Sequence, residues 1–294
     1  MQAADWLGFL GEIADRAGEI AGRLFRSADL HVEEKPDRSL VTAADREIEA
    51  LARKLLGERH PELGILGEEL GEAQGRSDTR LVIDPIDATF NFVRGIPVFA
   101  TLLAIEQAGE IVAGLVSAPA LHTRWHAARG AGAWEGSRRL RVSGVRKLEH
   151  AQLLHGSIGG YEGVVTPPTL VQLAKATHRQ RGFGDFWQHC LVAAGSGEIA
   201  IDPIVFPWDI AALQVVVEEA GGRATALSGE RSIYAGSLVS TNGPLHERAL
   251  ALLRGDTSRC RDRRWLGRSW PSATRAARSI SSQSRKKPVE SQTP

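Results

Sequence analysis

Two aspartates three residues apart, Asp84 and Asp87, are the side chains best placed to do chemistry in this sequence of 294 residues. Pro85 lies between them, and its ring fixes φ and removes a backbone donor, so the segment is stiff. Carboxylates held this close repel each other unless a cation or a proton lies between them. Carboxylate and carbonyl oxygens are the ligands that Mg2+ prefers. The stretch by itself is compatible with a divalent metal site and equally with a pair of solvated turn aspartates.

Two short apolar segments are predicted to be strands that end at acids. Residues 81–83 are apolar and rich in β-branched side chains, which predicts a buried strand that stops at Asp84. Residues 65–69, Ile-Leu-Gly-Glu-Glu, form a second apolar segment, and it ends at Glu68. Glutamate pairs are common on surfaces, but a third carboxylate at a strand end would complete a metal cluster with the paired aspartates.

A helix is predicted to begin near Trp208-Asp209. Apolar side chains recur at helical spacing from Ile210 to Ala220, and Gly221-Gly222 ends the pattern. Asp209 stands at the start of this helix, where the simplest interpretation is an N-cap aspartate.

The remaining pattern supplies elements that position and cover these segments. Thr42 followed by Asp45 predicts an N-terminal cap for one of the helices. The predicted elements are a helix over residues 4–26 with one apolar stripe, a helix from Thr42, a hairpin of residues 99–105 and 111–117 turning at Ala108-Gly109, a glycine-punctuated meander to about residue 136, and a helix over 170–176.

Other polar residues receive a less specific interpretation. We expect Lys35 and Asp45 to be solvated surface charges. His155, His178 and His189 show no metal-ligand spacing, so we interpret them as structural or surface residues.

Composition describes an ordinary globular chain, 43% hydrophobic and 24% charged. Two cysteines are too few for a disulfide framework and favour a reducing compartment. The sequence has no run of 18 apolar residues and no signal-peptide pattern at its N-terminus, so we expect a cytoplasmic protein without a membrane partner.

Charge and pattern divide the chain into three parts. We predict an N-terminal lobe over residues 1–145 with the acidic motifs, a C-terminal lobe over 146–255 that completes the site, and a tail over 256–294. The tail has ten basic and three acidic side chains, a net charge of +7, which leaves −6 for residues 1–255 of a chain whose total is +1. We expect the tail to be disordered and solvated, with no nucleic-acid partner, and to be dispensable for folding and activity.

Three stretches together closely resemble the signatures of the inositol monophosphatase family. They are Gly67-Glu68-Glu69, Asp84-Pro85-Ile86-Asp87-Ala88-Thr89-Phe90-Asn91-Phe92, and Trp208-Asp209 through Glu219-Ala220-Gly221-Gly222. The resemblance extends from about residue 5 to residue 254. It implies an α+β fold, a layered α/β/α/β/α sandwich of the inositol monophosphatase and fructose-1,6-bisphosphatase type, and a magnesium-dependent phosphomonoesterase, with a homodimer implied as well.

The resemblance also implies roles for individual residues. Glu68, Asp84 and the backbone carbonyl of Ile86 would hold one Mg2+, and Asp84, Asp87 and Asp209 a second, with two or three ions in all. The predicted catalytic residues are Glu68, Asp87 and Thr89, of which Thr89 paired with Glu68 would orient the attacking water.

The segment after Asp87 should begin a helix whose first amides, those of Ala88 and Thr89, point at the phosphate. The family has glycine where this chain has Ala88. If that position requires positive φ, the methyl group costs on the order of 1 kcal/mol and crowds the phosphate.

The substrate is predicted from a finer resemblance. Residues 117–121, 124–125, 127–130, 184–186 and 190–193 resemble the corresponding segments of bacterial histidinol-phosphate phosphatases of this family. Asp185 and Asp202 would face the non-phosphate end of the substrate, with Asp209 nearby. Histidinol phosphate carries an ammonium and an imidazole there, which suits two acids better than a neutral polyol does. The alternative for Asp185 is a turn residue that maintains the fold.

Two other functions remain open. An inositol-1-phosphatase or a broad sugar phosphatase is the first. The second is a catalytically silent binding protein on this fold, suggested by Ala88. Retention of every metal carboxylate and of Thr89 argues against silence, because a protein without catalysis has no need of a cluster of repelling acids.

Overall fold

The architecture was derived from a computed structural model that describes residues 2–36, 38–157 and 167–255. The predicted tail, residues 256–294, lies outside the described residues. The strands are β1 Val32–Glu34, β2 Leu40–Thr42, β3 Gly64–Gly67, β4 Gly71–Ala73, β5 Thr79–Asp87, β6 Ala100–Gln107, β7 Glu110–Ala118, β8 Thr123–Ala128, β9 Gly132–Glu135, β10 Arg138–Arg139, β11 Gln152–His155, β12 Arg179–Gly182, β13 Ile199–Asp202, β14 Arg223–Thr225 and β15 Leu238–Thr241.

Five of the seven helices in the described residues lie where the sequence predicts a helix, and the other two, Asp185–Ala193 and His246–Leu253, have no predicted counterpart. The helices are α1 Trp6–Leu24, α2 Ala43–Arg59, α3 Thr89–Val93, α4 Pro167–Ala176, α5 Asp185–Ala193, α6 Pro207–Glu219 and α7 His246–Leu253. The predicted cap of α2 is confirmed, since Thr42 Oγ1 accepts from Ala44 N at 3.1 Å and Asp45 Oδ2 accepts from Thr42 N at 2.8 Å.

Two sheets form the framework. The larger has eight strands in the order β10-β9-β8-β7-β6-β5-β3-β4, and the smaller has five in the order β12-β11-β13-β15-β14. The hairpin of β6 and β7 forms as predicted. In the larger sheet β3 runs parallel to β5, while the other pairs are antiparallel. A separate two-stranded hairpin is made by β1 and β2.

The helices alternate with the sheets, which confirms the predicted layered sandwich. Helices α1 and α2 pack on one face of the eight-stranded sheet. Helix α6 packs on the other face, where it also contacts α5 and the five-stranded sheet. On β15, Ser240 is bonded to α5 through His189, and the next residue, Thr241, is bonded to α7 through His246. Because neighbouring strand residues point to opposite faces, α5 and α7 lie on opposite sides of the five-stranded sheet.

The alternation along β5 explains where its acids point. Leu81 and Ile83 belong to the core cluster that includes α1 and α2, whereas Val82 belongs to the cluster that includes α5 and α6. Asp84 has the same parity as Val82, so it points toward the α5 and α6 layer. The register between β5 and β6 then shifts between Asp84 and Asp87. The strand therefore continues through both acids, where the sequence predicted that it stops at the first.

Helix α6 is buried on all sides, with eight consecutive buried residues from Ile210 to Val217. A helix that is apolar all round is a core helix. It approaches the sheet closely at Gly114, where a Cβ would lie 2.5 Å from Val215 Cγ1. A glycine at this position of β7 therefore allows α6 to lie close to the sheet.

All described residues belong to one compact unit. The division into lobes at residue 145 stays a prediction, and the change from the first sheet to the second occurs between Arg139 and Gln152. In the part of the chain that the structure describes, no helix has the length and apolarity needed to cross a membrane.

Candidate active site

Three carboxylates converge where β5 ends and α6 begins. Asp84, Asp87 and Asp209 each offer an oxygen, and these oxygens all lie within 4.8 Å of one another. The fold brings together residues that are far apart in the chain, because α6 packs against the face of the sheet to which Asp84 points. The cluster matches the acids that the resemblance assigns to one of the metal ions.

Backbone amides hold two of these carboxylates in place. Asp87 Oδ2 accepts a hydrogen bond from Phe186 N, at the start of α5, at 2.8 Å. Asp209 Oδ2 accepts from Phe206 N at 2.7 Å. Asp209 is the third residue of α6, which starts at Pro207, so the N-cap interpretation is wrong in position although the carboxylate does bond to the helix start.

Burial and mutual repulsion make the cluster costly to ionise. Burial, followed by the charges of Glu68 and Asp87, raises the pKa of Asp84 well above its usual range. Burial and the charges of Asp185 and Asp209 do the same to the pKa of Asp87. Burial is also the main cause that raises the pKa of Asp209 to about 7. A nearby cation removes this cost.

One oxygen in the cluster tests directly whether a cation fits. Asp84 Oδ1 is buried and has no hydrogen-bond partner among the described residues. Buried polar atoms without partners are rare, and hard carboxylate oxygens are the ligands of Mg2+. The donor set therefore fits a divalent cation.

Glu68 follows β3 and lines the same cavity, although it is outside the group of three converging acids. Because β3 and β5 are parallel, with Gly67 paired to Ile83, the two strands end at the same edge. Lys35 Nζ, from the turn between β1 and β2, donates to Glu68 Oε1 at 2.9 Å and to Glu69 Oε1 at 2.7 Å. The Lys35 side chain is thus 22% exposed and bonded to a carboxylate that lines the cavity, and Asp45 is fully buried, so the prediction of two solvated charges is wrong.

The segment after Asp87 begins the short helix α3, as predicted. Ala88 has φ 68° and ψ 47°, so the position does require the left-handed conformation. Thr89 Oγ1 donates to the carbonyl of Ile86 at 2.8 Å. The Ile86 carbonyl oxygen has a second lone pair, which the bond from Thr89 does not use.

A second group of polar residues lines the same cavity beyond the metal cluster. Asp185 lies at the start of α5, and burial followed by the charge of Asp202 raises its pKa to about 7. Asp202 Oδ2 accepts from Gln188 Nε2 at 2.7 Å and is 2.9 Å from His189 Nε2. The structure thus places both predicted substrate acids on one wall.

The cavity has a volume of about 230 Å3. It contains every residue predicted for the site together with others that the sequence did not single out. Its lining is Glu68, Asp84, Ile86, Asp87, Ala88, Thr89, Asp185, Phe186, His189, Asp202, Ile204, Val205, Phe206, Trp208, Asp209, Leu213 and Leu238.

The missed residues are an imidazole and an aromatic rim. His189 was interpreted as a structural or surface residue, but it is fully buried at the cavity wall. Phe206 is 51% exposed and stacks on Trp208 with ring centroids 5.2 Å apart. A histidine four residues after a predicted substrate acid, Asp185, on the same helix was the available signal, since positions i and i+4 share a helix face.

Comparison with known proteins agrees with this geometry. Residues 3–258 match the model of the inositol monophosphatase family. The chain belongs to the inositol monophosphatase family. Its curated relatives include a histidinol-phosphatase of Mycobacterium tuberculosis, 45% identical over 82% of this chain and 95% of the relative. Another is a histidinol-phosphatase of Streptomyces coelicolor, 40% identical over 82% of this chain and 94% of the relative.

Solved structures of the family share the fold. The suhB protein of Bartonella henselae superimposes with a TM-score of 0.79 at 30% identity, covering 84% of this chain and 98% of that one. Thermotoga maritima IMPase gives 0.77 at 31% identity, covering 86% and 98%. An IMPase/NADP phosphatase, 24% identical over 85% of this chain and 95% of that one with a TM-score of 0.76, is described as complexed with Mg2+ and phosphate. At that identity the likeness carries the fold alone.

Proposed function

We propose that this family member is a Mg2+-dependent phosphomonoesterase that hydrolyses L-histidinol phosphate to L-histidinol and phosphate, a step of histidine biosynthesis. The observation that carries the choice of substrate is the pair of acids, Asp185 and Asp202, on the cavity wall beyond the metal cluster. The names of the two histidinol-phosphatase relatives support the same choice.

The metal ligands we propose are the side chains of Glu68, Asp84, Asp87 and Asp209 and the carbonyl of Ile86, holding two or three ions. Divalent cations held by these residues would neutralise the phosphate oxygens and acidify a water molecule. Asp84 is the shared ligand in this proposal, and its unpartnered Oδ1 supports that role.

The remaining catalytic tasks belong to groups of the chain itself. Glu68 and Thr89 orient the water that attacks phosphorus, and the backbone amides of Ala88 and Thr89 bind phosphate oxygens at the start of α3. The attack must be in line with the departing alcohol oxygen. In the structure the Thr89 hydroxyl donates to the Ile86 carbonyl, which leaves the hydroxyl oxygen able to accept a hydrogen bond from the water.

The leaving group determines specificity in this proposal. Histidinol presents an ammonium and an imidazole, and Asp185 and Asp202 offer carboxylates to both. The exposed faces of Ile204 and Phe206, 57% and 51% exposed, form an apolar rim on which an imidazole ring can pack. A neutral polyol such as inositol would leave the two acids without a countercharge, which makes the inositol-1-phosphatase alternative less favourable.

The decisive experiment is phosphate release from L-histidinol phosphate, inositol 1-phosphate and glycerol 2-phosphate, measured side by side with Mg2+. We expect the specificity constant for histidinol phosphate to exceed the others by at least about tenfold, because each charge-assisted hydrogen bond contributes roughly 1.5 to 3 kcal/mol. Preference for inositol 1-phosphate would replace this proposal with the alternative. The absence of turnover on all three esters would favour the silent binding protein.

Substitution of the two acids tests whether they determine the substrate specificity. Asp185→Asn and Asp202→Asn should each lower the specificity constant for histidinol phosphate by about tenfold or more, and that for an aryl phosphate far less. Equal losses on both substrates would assign these acids to the catalytic centre.

We also propose a cytoplasmic location, in keeping with a biosynthetic activity and a chain of two cysteines. The homodimer remains an expectation from family resemblance, and sedimentation analysis of the full chain tests it.

A further inference from the structure

Asp202 is held from one side only. Its Oδ2 is the acceptor for both Gln188 and His189, at 2.7 and 2.9 Å. No described residue donates to Oδ1, and the Asp202 side chain is 14% exposed at the cavity wall. A Cβ at position 156 would lie 3.0 Å from Oδ1, so Gly156 leaves the space beside that oxygen open. One oxygen of the carboxylate is therefore used by the protein, and the other is available to a ligand.

His189 is bonded through both ring nitrogens. It is fully buried, with Nε2 at 2.9 Å from Asp202 Oδ2 and Nδ1 at 2.7 Å from Ser240 Oγ. An ionised carboxylate only accepts hydrogen bonds, so Nε2 carries the proton in this contact. In a neutral ring this leaves Nδ1 as the acceptor for the Ser240 hydroxyl, so the Asp202 carboxylate selects the tautomer and the serine on β15 complements it.

We propose that Ser240 and His189 form a positioning chain that presents Oδ1 of Asp202 to the cationic leaving group of the phosphate ester. The inference rests on the proposed function. It adds two residues, His189 and Ser240, that affect substrate specificity by positioning Asp202. His189 acts through Asp202 and touches no reacting atom, so it is a positioning residue.

The choice of histidine has a physical reason. A lysine or arginine at this position would orient Asp202 equally well, but its permanent charge would neutralise the carboxylate. A neutral imidazole fixes the geometry and leaves the negative charge of Asp202 for the substrate. Gln188 has the same property, since its amide donates without carrying charge.

A second buried histidine, His246 at the start of α7, provides a matched control. His246 is also fully buried, and its two ring nitrogens lie 3.0 Å from Thr241 Oγ1 and 2.9 Å from Thr225 Oγ1. It lies on the opposite face of the five-stranded sheet, away from the cavity. Loss of His246 therefore has the structural cost of losing a bonded buried histidine without touching Asp202.

The test compares specificity constants for L-histidinol phosphate and glycerol 2-phosphate in the Mg2+-loaded full chain. His189→Leu should lower the ratio of the two constants by about tenfold, mainly through a higher KM for the cationic ester. His189→Gln can still donate to Asp202 and should keep the ratio within about threefold of the wild type. His246→Leu should lower the Tm and leave the ratio unchanged.

An unchanged ratio in folded His189→Leu, or an equal fall in His246→Leu, would overturn the proposal. If His189→Leu does not fold, Ser240→Ala takes its place, with a lower ratio expected and an unchanged one overturning the idea.

A spectroscopic readout separates this inference from the proposed function. The 15N chemical shifts of His189 in the wild type should show a neutral ring with its proton on Nε2, and a proton on Nδ1 alone would overturn the positioning chain. This measurement requires no substrate. A wild-type enzyme with no preference for histidinol phosphate would refute the proposed function instead.

Discussion

At the scale of single residues, Ala88 is the least expected feature of the site. It lies between Asp87 and Thr89 in the left-handed conformation, with φ 68°. A side chain with a Cβ in that region costs about 1 to 2 kcal/mol relative to the right-handed conformation. The chain tolerates this strain at the point where a phosphate is expected to approach the backbone most closely. The methyl group therefore affects both stability and the space for the substrate.

Replacing Ala88 by glycine should relieve the strain. We expect Ala88→Gly to raise the free energy of unfolding by roughly 0.5 to 1 kcal/mol, because the relief exceeds the added entropy of the unfolded chain. Urea denaturation in the presence of Mg2+ measures it. The KM for the phosphate ester should stay equal or fall, since the glycine gives the phosphate more room.

Ala108 provides the control for this substitution. It also has positive φ, 50°, but lies in the turn between β6 and β7. Ala108→Gly should raise stability similarly and leave KM alone. A loss of stability in Ala88→Gly would mean that the methyl contributes packing that outweighs the strain.

At the scale of elements, α2 holds the turn that carries Glu68. Glu49 of α2 is fully buried, accepts from the amides of Glu69 and Leu70 at 2.8 and 3.1 Å, and pairs with Arg53. It reaches these amides beside Gly67, where a Cβ would lie 2.1 Å from Glu49 Oε1. Only a glycine at position 67 therefore leaves room for Glu49 to bind the amides of the turn.

A methyl group at position 67 should disturb both stability and metal binding. We expect Gly67→Ala to cost about 1 to 3 kcal/mol of unfolding free energy, as overpacking does in a buried site. Displacement of Glu68 should also weaken Mg2+ binding, which calorimetry detects without turnover. Gly57→Ala is the control, since a Cβ on that residue of α2 meets no atom within 4 Å. A variant as stable as the wild type with normal Mg2+ affinity would refute this role of the turn.

At the scale of the whole molecule, the fold gathers acids from several layers around one cavity. Glu68 follows β3, Asp84 and Asp87 come from β5, and Asp209 comes from α6. The pKa values of the three aspartates are raised, chiefly by burial, so folding without a cation favours their protonated forms. Stability of the metal-free protein is therefore linked to pH.

The direction of this pH dependence follows from the raised pKa values of the aspartates. Carboxyls whose pKa is raised in the folded state contribute stability that is present below their unfolded pKa and lost as pH rises through the folded value, about 7 for Asp209. We expect the Tm in chelator to fall between pH 5 and pH 8. This window follows from a pKa of about 4 for a free Asp and a pKa of about 7 for Asp209 in the folded protein. Excess Mg2+ should restore the Tm at pH 8. Scanning calorimetry measures both.

Asp84→Asn isolates the cluster as the cause. It should raise the Tm in chelator at pH 8 and abolish most of the phosphatase activity, because it removes charge from both metal positions to which Asp84 is assigned. Asp78→Asn, an exposed aspartate just before the same strand, should change neither. Near-normal activity of Asp84→Asn, or of the wild type in chelator, would refute the metal assignment.

The sequence by itself determined the features that depend on near neighbours. The strand before Asp84, the hairpin at Ala108-Gly109 and the capped start of α2 follow from alternation, turn residues and side-chain bonds over a few positions. The acids of the cluster were identified by resemblance to the family signatures, because each acid lies within one short signature stretch.

Only the tertiary structure decided what these residues contact. The packing of α5 and α6 against the sheet brings Phe186 N to Asp87 and places Asp209 within the cluster. The hairpin of β1 and β2 brings Lys35 to Glu68, and β15 brings Ser240 to His189. These contacts join segments far apart in the chain, so no local pattern encodes them. They arise because the burial of apolar helix and sheet faces fixes the layers, and the polar groups at the layer edges then meet.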